Sequence, residues 1–300
     1  MKESFICRKF GKSTLAVIDQ ANWIVAEYQA QGFTLTLRQL FYQFVARALI
    51  PNTAREYKNL GAVVNNARLA GVLDWDAIED RTRNLRELSV WETPADIIGS
   101  AAASYREDLW LDQKFRPQVW IEKDALLGVI EPACNLFRVP HYPHRGNNSQ
   151  SEAYKSGKLF QQQIQDGKIP VVLHLGDHDP TGIDMTRDNA DRLARFAGCP
   201  IEVRRIALNL DQVAQYRPPP NRIKVSDSRS AGYTAKFGNE SWELDALEPT
   251  VIDGLITAEI QTMIDASLWQ AAEERERAHR LELERAADRW HEIENFLFEP

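Results

Sequence analysis

An apolar run that ends in two closely spaced carboxylates constrains this chain more than any other feature. Residues 171–175 read Val-Val-Leu-His-Leu, and residues 176–182 read Gly-Asp-His-Asp-Pro-Thr-Gly. Side chains alternate between the faces of an extended backbone, so Asp177 and Asp179 are expected to project the same way. Two like charges held that close repel each other unless a cation lies between them. Oxygen ligands at this spacing suit a hard divalent ion such as Mg²⁺.

A second apolar strand lies upstream and also ends in a carboxylate. Residues 118–121 read Gln-Val-Trp-Ile and are followed by Glu122 and Lys123. A helix-length segment follows each of the two strands. This order resembles the metal site of Toprim domains, found in topoisomerases and primases, and it predicts that Glu122 joins Asp177 and Asp179 as a metal ligand.

Two other interpretations of residues 177–181 remain open at this stage. A strand-end Asp-x-Asp often only caps the helix that follows it. The same residues also fit the Asp-x-Asp-x-Thr nucleophile loop of haloacid-dehalogenase-like phosphohydrolases. That family needs a later Lys and a later acidic pair, and no paired Asp follows here, so this interpretation ranks below the metal site.

Composition limits the class of protein and its compartment. The 300 residues are 44% hydrophobic and 26% charged, which is typical of a soluble globular chain with room for two domains. The sequence holds no apolar run long enough to span a membrane and no signal peptide. Its three cysteines are scattered without a Cys-x-x-Cys pair, which argues against structural zinc. We therefore expect a cytoplasmic protein that has no membrane partner.

The net charge of −7 is concentrated near one end of the chain. Residues 1–90 carry a net charge of +3, residues 91–240 are balanced, and residues 241–300 carry −10. An overall acidic chain is unusual for a nucleic-acid enzyme, but residues 1–240 could still present a local basic face to DNA.

The first 90 residues are predicted to form three helices with short links. Ser13 can cap a helix that runs to about residue 31. Thr36 and Thr53 each begin a capping-box pattern, which predicts helices to about residues 49 and 70, the last closed by Gly71. With the short segment at residues 72–75, this arrangement predicts a winged-helix domain.

The third helix carries groups that contact DNA. Arg55, Lys58 and Arg68 are predicted to bind phosphates, and Asn65 and Asn66 are suited to base edges. The alternative is an ordinary polar helix face. The metal-dependent domain predicted next to this helix favours the DNA-binding interpretation over the ordinary polar face.

The rest of the chain is predicted to alternate strands and helices in an α/β domain with a mainly parallel sheet. Strands are expected near residues 118–122, 137–142, 170–176 and 200–207, and helices near residues 124–136, 149–166 and 183–197. Residues 218–238 are predicted to be a long loop. The predicted domains are a winged helix at residues 1–95, a Toprim domain at residues 113–247, and an acidic helical region at residues 248–300, which packs on the body or on a second copy of the chain.

A tyrosine on the second helix is a candidate nucleophile. Arg38 and Tyr42 lie four residues apart and share a helix face. A tyrosine hydroxyl, with an ordinary pKa of about 10, is a poor nucleophile at neutral pH, and a nearby guanidinium favours the phenolate and can grip a phosphate. The alternative is a core tyrosine on an amphipathic helix.

Together these motifs resemble the A subunit of DNA topoisomerase VI and its relative that makes meiotic double-strand breaks. In that family a winged helix carries an arginine and the catalytic tyrosine, and a Toprim domain follows with Glu-Lys-Asp-Ala and Asp-x-Asp-Pro-x-Gly. The matching segments here are residues 38–42, 122–125 and 177–182. A weaker match is residues 242–247, Trp-Glu-Leu-Asp-Ala-Leu, where the family carries Glu-x-x-Ala-Leu.

The resemblance implies double-strand DNA cleavage by transesterification. Tyr42, assisted by Arg38, would attack a phosphodiester and leave a 5′-phosphotyrosyl link and a free 3′-OH. Glu122, Asp177 and Asp179 would hold Mg²⁺, and Glu122 would also carry the proton of the leaving group.

The resemblance also implies partners and a location. These are double-stranded DNA, contacted by Lys123 and Arg145, and a second copy of the chain whose tyrosine meets the metal site of the first, in the prokaryotic cytoplasm or nucleoid. An ATPase B-type subunit is less expected, because only about 40 residues precede Tyr42, as in the short stand-alone A-subunit relatives of mobile elements. Two other functions stay open, a hydrolytic Toprim-type nuclease with Tyr42 structural and a DNA-binding module without catalysis.

Overall fold

The computed structural model describes residues 2–79, 88–144, 149–223 and 229–298. Its N-terminal part contains three helices, α1 (Lys12–Gln29), α2 (Leu37–Ala46) and α3 (Ala54–Leu69), followed by a 3₁₀ turn at Trp75–Ala77. These helices bury a common apolar core. The three predicted helices are therefore confirmed.

Both capping signals lie where the sequence places them. The Thr36 hydroxyl accepts a hydrogen bond from Gln39 N at 3.3 Å, and the Gln39 side chain accepts one from Thr36 N at 2.8 Å. Thr53 accepts from Glu56 N at 3.3 Å, while the Glu56 carboxylate accepts from Asn59 at 3.3 Å, so the full capping box forms at Thr36 and only its first half at Thr53. Gly71 ends the third helix with φ of +70°, a conformation that favours glycine.

The predicted wing is not found in the described part of this region. Val72 and Leu73 form a bend, and the 3₁₀ turn begins at Trp75. The β-pairing between residues 2 and 79 consists of the isolated bridges Ser4–Ala70 and Leu35–Ile78. Residues 80–87 lie outside the described residues, so the winged helix remains a prediction.

A four-stranded parallel sheet forms the centre of the second part. Its strands are β1 (Phe115–Ile121), β2 (His141–Pro143), β3 (Ile169–Leu175) and β4 (Glu202–Ala207), in the order β2-β1-β3-β4. The helices that follow the first three strands are α5 (Leu127–Leu136), α6 (Gln150–Gln165) and α7 (Pro180–Ala197). The predicted α/β class and parallel sheet are confirmed.

Apolar side chains fill both faces of this sheet, because its strands carry apolar residues at consecutive positions. Val119 and Leu173 face a core that includes α5. Trp120 and Val172 face the opposite core, which includes side chains of α6 and α7. The pairing of Ile121 with Leu175 brings the carboxyl ends of β1 and β3 to the same edge of the sheet.

Two secondary-structure predictions were wrong in part, because the strand expected near residues 137–142 begins only at His141 and the loop expected at residues 218–238 is interrupted. Residues 137–140 are not a strand, since Phe137 ends α5 and Val139 N bonds back to Cys134 O at 2.8 Å; their apolar character reflects burial against the core. The predicted loop at residues 218–238 contains β5 (Asn221–Arg222) and a helix that is α9 in chain order (Ser230–Phe237), after α8 (Leu210–Tyr216). Strand β5 pairs with β6 (Glu240–Ser241), and residues 224–228 lie outside the described residues.

The remaining helices are α4 (Pro94–Ser104), α10 (Pro249–Gln261), α11 (Ala266–Asp288) and α12 (Trp290–Phe298). Helix α10 packs on α5 within the sheet core, and α11 packs on α4. None of the α12 side chains is fully buried, and the packing of this region on the body or on a second copy of the chain stays a prediction. Within the described residues, no helix has the length and apolar content that crossing a membrane requires.

Candidate functional site

The carboxyl ends of β1 and β3 bring two of the three candidate metal ligands together. Glu122 follows β1 and Asp177 lies two residues beyond β3. The Glu122 Oε2 atom accepts a hydrogen bond from Asp177 N at 3.0 Å. Parallel neighbouring strands thus place both motifs at one edge of the sheet, as the sequence predicts.

Asp179 caps the helix that follows. Its Oδ1 atom accepts from Gly182 N at 2.6 Å at the start of α7. The capping interpretation is therefore right for this oxygen, and it places Asp179 beside the cleft described below.

Gly182 makes this tight turn possible. A Cβ atom there would lie 2.1 Å from the Asp177 carbonyl oxygen, which is backbone and cannot rotate away. We expect Gly182→Ala to lower the free energy of unfolding by about 2–3 kcal/mol, as overpacking does, measured by urea denaturation. Gly254→Ala, where a Cβ meets nothing within 4 Å on α10, should be neutral or slightly stabilising. Equal stabilities of the two variants would show that the turn can relax.

The carboxylates at this edge are not balanced by enough positive charge. Burial, together with the charges of Asp177 and Asp179, raises the pKa of Glu122 to about 7. Burial also raises the pKa of Asp177, although Lys123 opposes that shift. An added cation would relieve this repulsion.

Lys123 is the internal counter-ion of the cluster. Its Nζ atom lies 2.9 Å from Asp177 Oδ2, 3.1 Å from Glu243 Oε2 and 3.7 Å from Asp245 Oδ2. Burial alone would lower the pKa of Lys123, but the three carboxylates together raise it. Lys123 is therefore a charged group that holds the cluster together.

Tyr42 is buried and bonded to a carboxylate. Its side chain is 4% exposed, its hydroxyl donates to Glu243, and the Asn221 amide donates to it. Burial, followed by the charge of Glu243, raises the pKa of Tyr42. Arg38 interacts with Tyr42 through its charge, but its guanidinium pairs with Glu243 at 3.0 Å and with Asp245 at 3.8 Å. The net pKa of Tyr42 is raised, and the expectation that Arg38 favours the phenolate stays a prediction.

Glu243 and Asp245 are site residues that sequence reasoning missed. Glu243 accepts hydrogen bonds from Arg38, Lys123, Asn221 and Tyr42. Asp245 is 2% exposed, and burial raises its pKa to about 6. The weak Trp-Glu-Leu-Asp-Ala-Leu match was the signal that could have found both.

Arg205, on β4, holds the loop between β3 and α7 in place. Its guanidinium donates to the carbonyl oxygens of Gly176 at 2.9 Å, Asp177 at 2.6 Å and Gly182 at 2.8 Å. Burial lowers the pKa of Arg205 to about 10. No sequence motif marks this residue.

A cleft of about 810 Å³ lies between the helical part and this edge of the sheet. Tyr42, Arg38, Lys123, Asp177 and Asp179 of a single chain all line it. The candidate nucleophile and two of the candidate metal ligands thus line one cleft of a single chain, whereas the resemblance implies a site shared between two copies.

The predicted DNA contacts differ in their surroundings. Arg55 and Lys58 are exposed on α3. Arg68 donates to Trp75 O at 2.6 Å, and its guanidinium lies 4.6 Å from the centroid of the Trp75 ring, so it stabilises the end of that helix. Arg145 lies outside the described residues.

The donor set suits Mg²⁺, but the side chains are not yet arranged around one point. Within the described ranges, no group of three His, Cys, Asp or Glu side chains is positioned to hold a metal ion. Asp177 uses Oδ2 for Lys123 and Oδ1 for Leu244 N at 2.8 Å. The all-oxygen donors and the raised pKa of Glu122 nevertheless fit a hard cation.

Comparison with known proteins leaves the chain without an assigned family. No family model matches it, and a search of curated proteins finds no match. The functional assignment therefore rests on the residues of the cleft.

Proposed function

We propose that this chain is a Mg²⁺-dependent enzyme that cleaves DNA by transesterification through Tyr42, in the manner of the topoisomerase VI A subunit. One observation carries the proposal. A single cleft is lined by Tyr42, by Asp177 and Asp179, and by the cations Arg38 and Lys123. Transfer of a phosphodiester to a tyrosine needs a nucleophile, ligands for a metal ion, and positive charge for the phosphate.

Glu122, Asp177 and Asp179 would hold the metal ion. When bound, Mg²⁺ would neutralise charge on the phosphate and on the leaving oxygen. Lys123 would have to leave Asp177 Oδ2 for that atom to serve as a ligand. We assign Glu122 to the metal rather than to the leaving-group proton, because cation binding favours its ionised form.

The chain's own groups account for the remaining steps. The Tyr42 hydroxyl gives up its proton as its oxygen forms a bond to phosphorus, and the bond from phosphorus to the 3′-oxygen breaks, which leaves a 5′-phosphotyrosyl link. Arg38 and Lys123 line the cleft and can bind the phosphate oxygens. The 3′-oxygen leaves with a negative charge and takes a proton from water.

Double-stranded DNA and a second copy of the chain are the proposed partners. Arg55 and Lys58 are exposed next to Ala54, which lines the cleft, so they are suited to phosphates that approach it. Each cleft holds one nucleophile and cuts one strand. A double-strand break therefore needs two clefts, which a homodimer supplies.

A hydrolytic nuclease is the second candidate, and one observation favours it. The Tyr42 hydroxyl is buried and bonded to Glu243, as expected of a core tyrosine that does not react. In that case water would attack the phosphate at the same carboxylates.

The two functions differ in the DNA ends that they leave. Supercoiled plasmid should be incubated with the protein and Mg²⁺, quenched with denaturant, and analysed with and without protease. We expect breaks whose 5′ ends carry protein and whose 3′ ends a polymerase can extend, and no breaks with a chelator. Breaks without attached protein would support the hydrolytic nuclease, and intact plasmid under all conditions would contradict both candidates.

A further inference from the structure

The Tyr42 hydroxyl donates a hydrogen bond to a carboxylate that was not among the site residues predicted from the sequence. The hydroxyl of Tyr42 donates to Glu243, which is also held by Arg38 at 3.0 Å and by Lys123 at 3.1 Å. The Asn221 amide lies 3.3 Å from Glu243 Oε1 and also donates to the tyrosine. Asn221 is itself oriented by Asn52, whose amide donates to it at 2.8 Å.

We propose that Glu243 is the general base that accepts the Tyr42 proton during DNA cleavage. This inference rests on the proposed function. As the tyrosine oxygen bonds to phosphorus and the bond to the 3′-oxygen breaks, the hydroxyl proton moves to the Glu243 carboxylate. The 3′-oxygen takes a proton from water, and Glu243 then returns its proton to solvent, so no net proton is consumed.

Glu243 has the protonation state that this role requires. Burial alone would raise its pKa, but Lys123, the Tyr42 hydrogen bond and Arg38 outweigh burial and lower it. The carboxylate is therefore ionised at neutral pH and can accept a proton. A weakly basic carboxylate can serve a weakly acidic hydroxyl, as in kinases, because the proton moves only as the bond to phosphorus forms.

Proton transfer to Glu243 also changes the charge balance around the neighbouring cations. Before the reaction, Arg38 and Lys123 are paired with the charge of Glu243. Once Glu243 is protonated, both cations lose that counter-ion while negative charge develops on the phosphate. Each cation keeps its other carboxylate partners, but it is less fully neutralised and stabilises the charge on the phosphate more strongly. The other carboxylates that line the cleft have other partners, since Asp177 accepts from Lys123 and Leu244 N and Asp179 accepts from Gly182 N. Glu243 is the carboxylate that accepts from the Tyr42 hydroxyl.

The test is the single-turnover rate of covalent adduct formation on bound DNA, measured from pH 6 to 9.5. Glu243→Gln keeps the size of the side chain and loses the base. We expect its rate at neutral pH to fall by about 10²–10⁴-fold and to rise about tenfold per pH unit, because hydroxide must then remove the proton. Glu240→Gln makes the same change at an exposed position three residues earlier and should behave as wild type.

Glu243→Asp keeps a carboxylate, so it separates the loss of the base from a folding defect of Glu243→Gln. It should react more slowly than wild type but keep the wild-type pH profile. A Glu243→Gln rate equal to wild type, or a reduced rate with an unchanged pH profile in both variants, would overturn the role of Glu243 while leaving the proposed function standing. If wild type itself forms no adduct on DNA that it cuts, the proposed function fails instead.

Discussion

Asp177→Asn is expected to reduce Mg²⁺-dependent DNA cleavage by at least about 10³-fold without unfolding the protein. The substitution removes the charge of one proposed metal ligand, and loss of metal-bound transition-state stabilisation costs several kcal/mol. Calorimetric titration should show weakened Mg²⁺ binding. Plasmid nicking should fall in parallel.

The stability of this variant without metal follows from the sign of the pKa shift. Burial raises the pKa of Asp177 in the folded chain, so the ionised form opposes folding, and wild-type stability falls as pH rises through that pKa. Asparagine cannot ionise, so the variant should be at least as stable as wild type at pH 7. Asp191→Asn, which loses only a surface pair with Arg187 on α7, is the control. Wild-type cleavage by Asp177→Asn would remove Asp177 from the metal site.

Lys123→Met is expected to lower the free energy of unfolding strongly. Lys123 is the counter-ion that contacts Asp177, Glu243 and Asp245, and removing one partner from buried ion pairs costs about 3–5 kcal/mol. The loss should be measured by chemical denaturation at pH 7. Lys155→Met, which removes an exposed pair with Glu152 at 2.8 Å, should change stability by no more than about 0.5 kcal/mol.

The same variant has a predicted pH dependence. The pKa of Lys123 is raised, so its stabilising contribution is complete below its ordinary value of about 10.4 and is lost only above that value. In Lys123→Met the buried carboxylates must protonate, and the pKa of Asp245 is already about 6 in wild type. The stability difference between wild type and variant should therefore shrink as pH falls from 7 to 5. A difference that is constant over this range would show that packing, not charge, is lost.

Local signals predicted the framework of this protein. Thr36 and Thr53 begin helices because their hydroxyls accept from backbone N–H groups that helix ends leave unpaired. Apolar runs at residues 118–121 and 171–175 predicted neighbouring strands, since parallel strands buried on both faces carry no polar alternation. The position of Glu122 beside Asp177 then followed from the sheet edge.

Long-range pairing could not be read from the sequence. The partner of Arg38 is Glu243, 205 residues away, and no local pattern shows that this carboxylate rather than the hydroxyl of Tyr42 receives the guanidinium. The segment that holds Phe137 and Val139 was predicted to be a strand because it is apolar. A loop that packs against a core carries the same apolar residues as a buried strand. Arg205 had no motif at all, since its acceptors are backbone carbonyl groups.

The most direct test of the central claim is to locate the atom of the protein that becomes bonded to DNA. Adducts trapped with denaturant should be digested with nuclease and protease and mapped by mass spectrometry, with Tyr42→Phe and Tyr57→Phe as paired variants, because both tyrosines line the cleft. We expect the nucleotide on Tyr42, no adduct and no cleavage with Tyr42→Phe, and retained cleavage with Tyr57→Phe. DNA breaks whose ends carry no attached protein, and which Tyr42→Phe makes at the wild-type rate, would contradict the covalent mechanism.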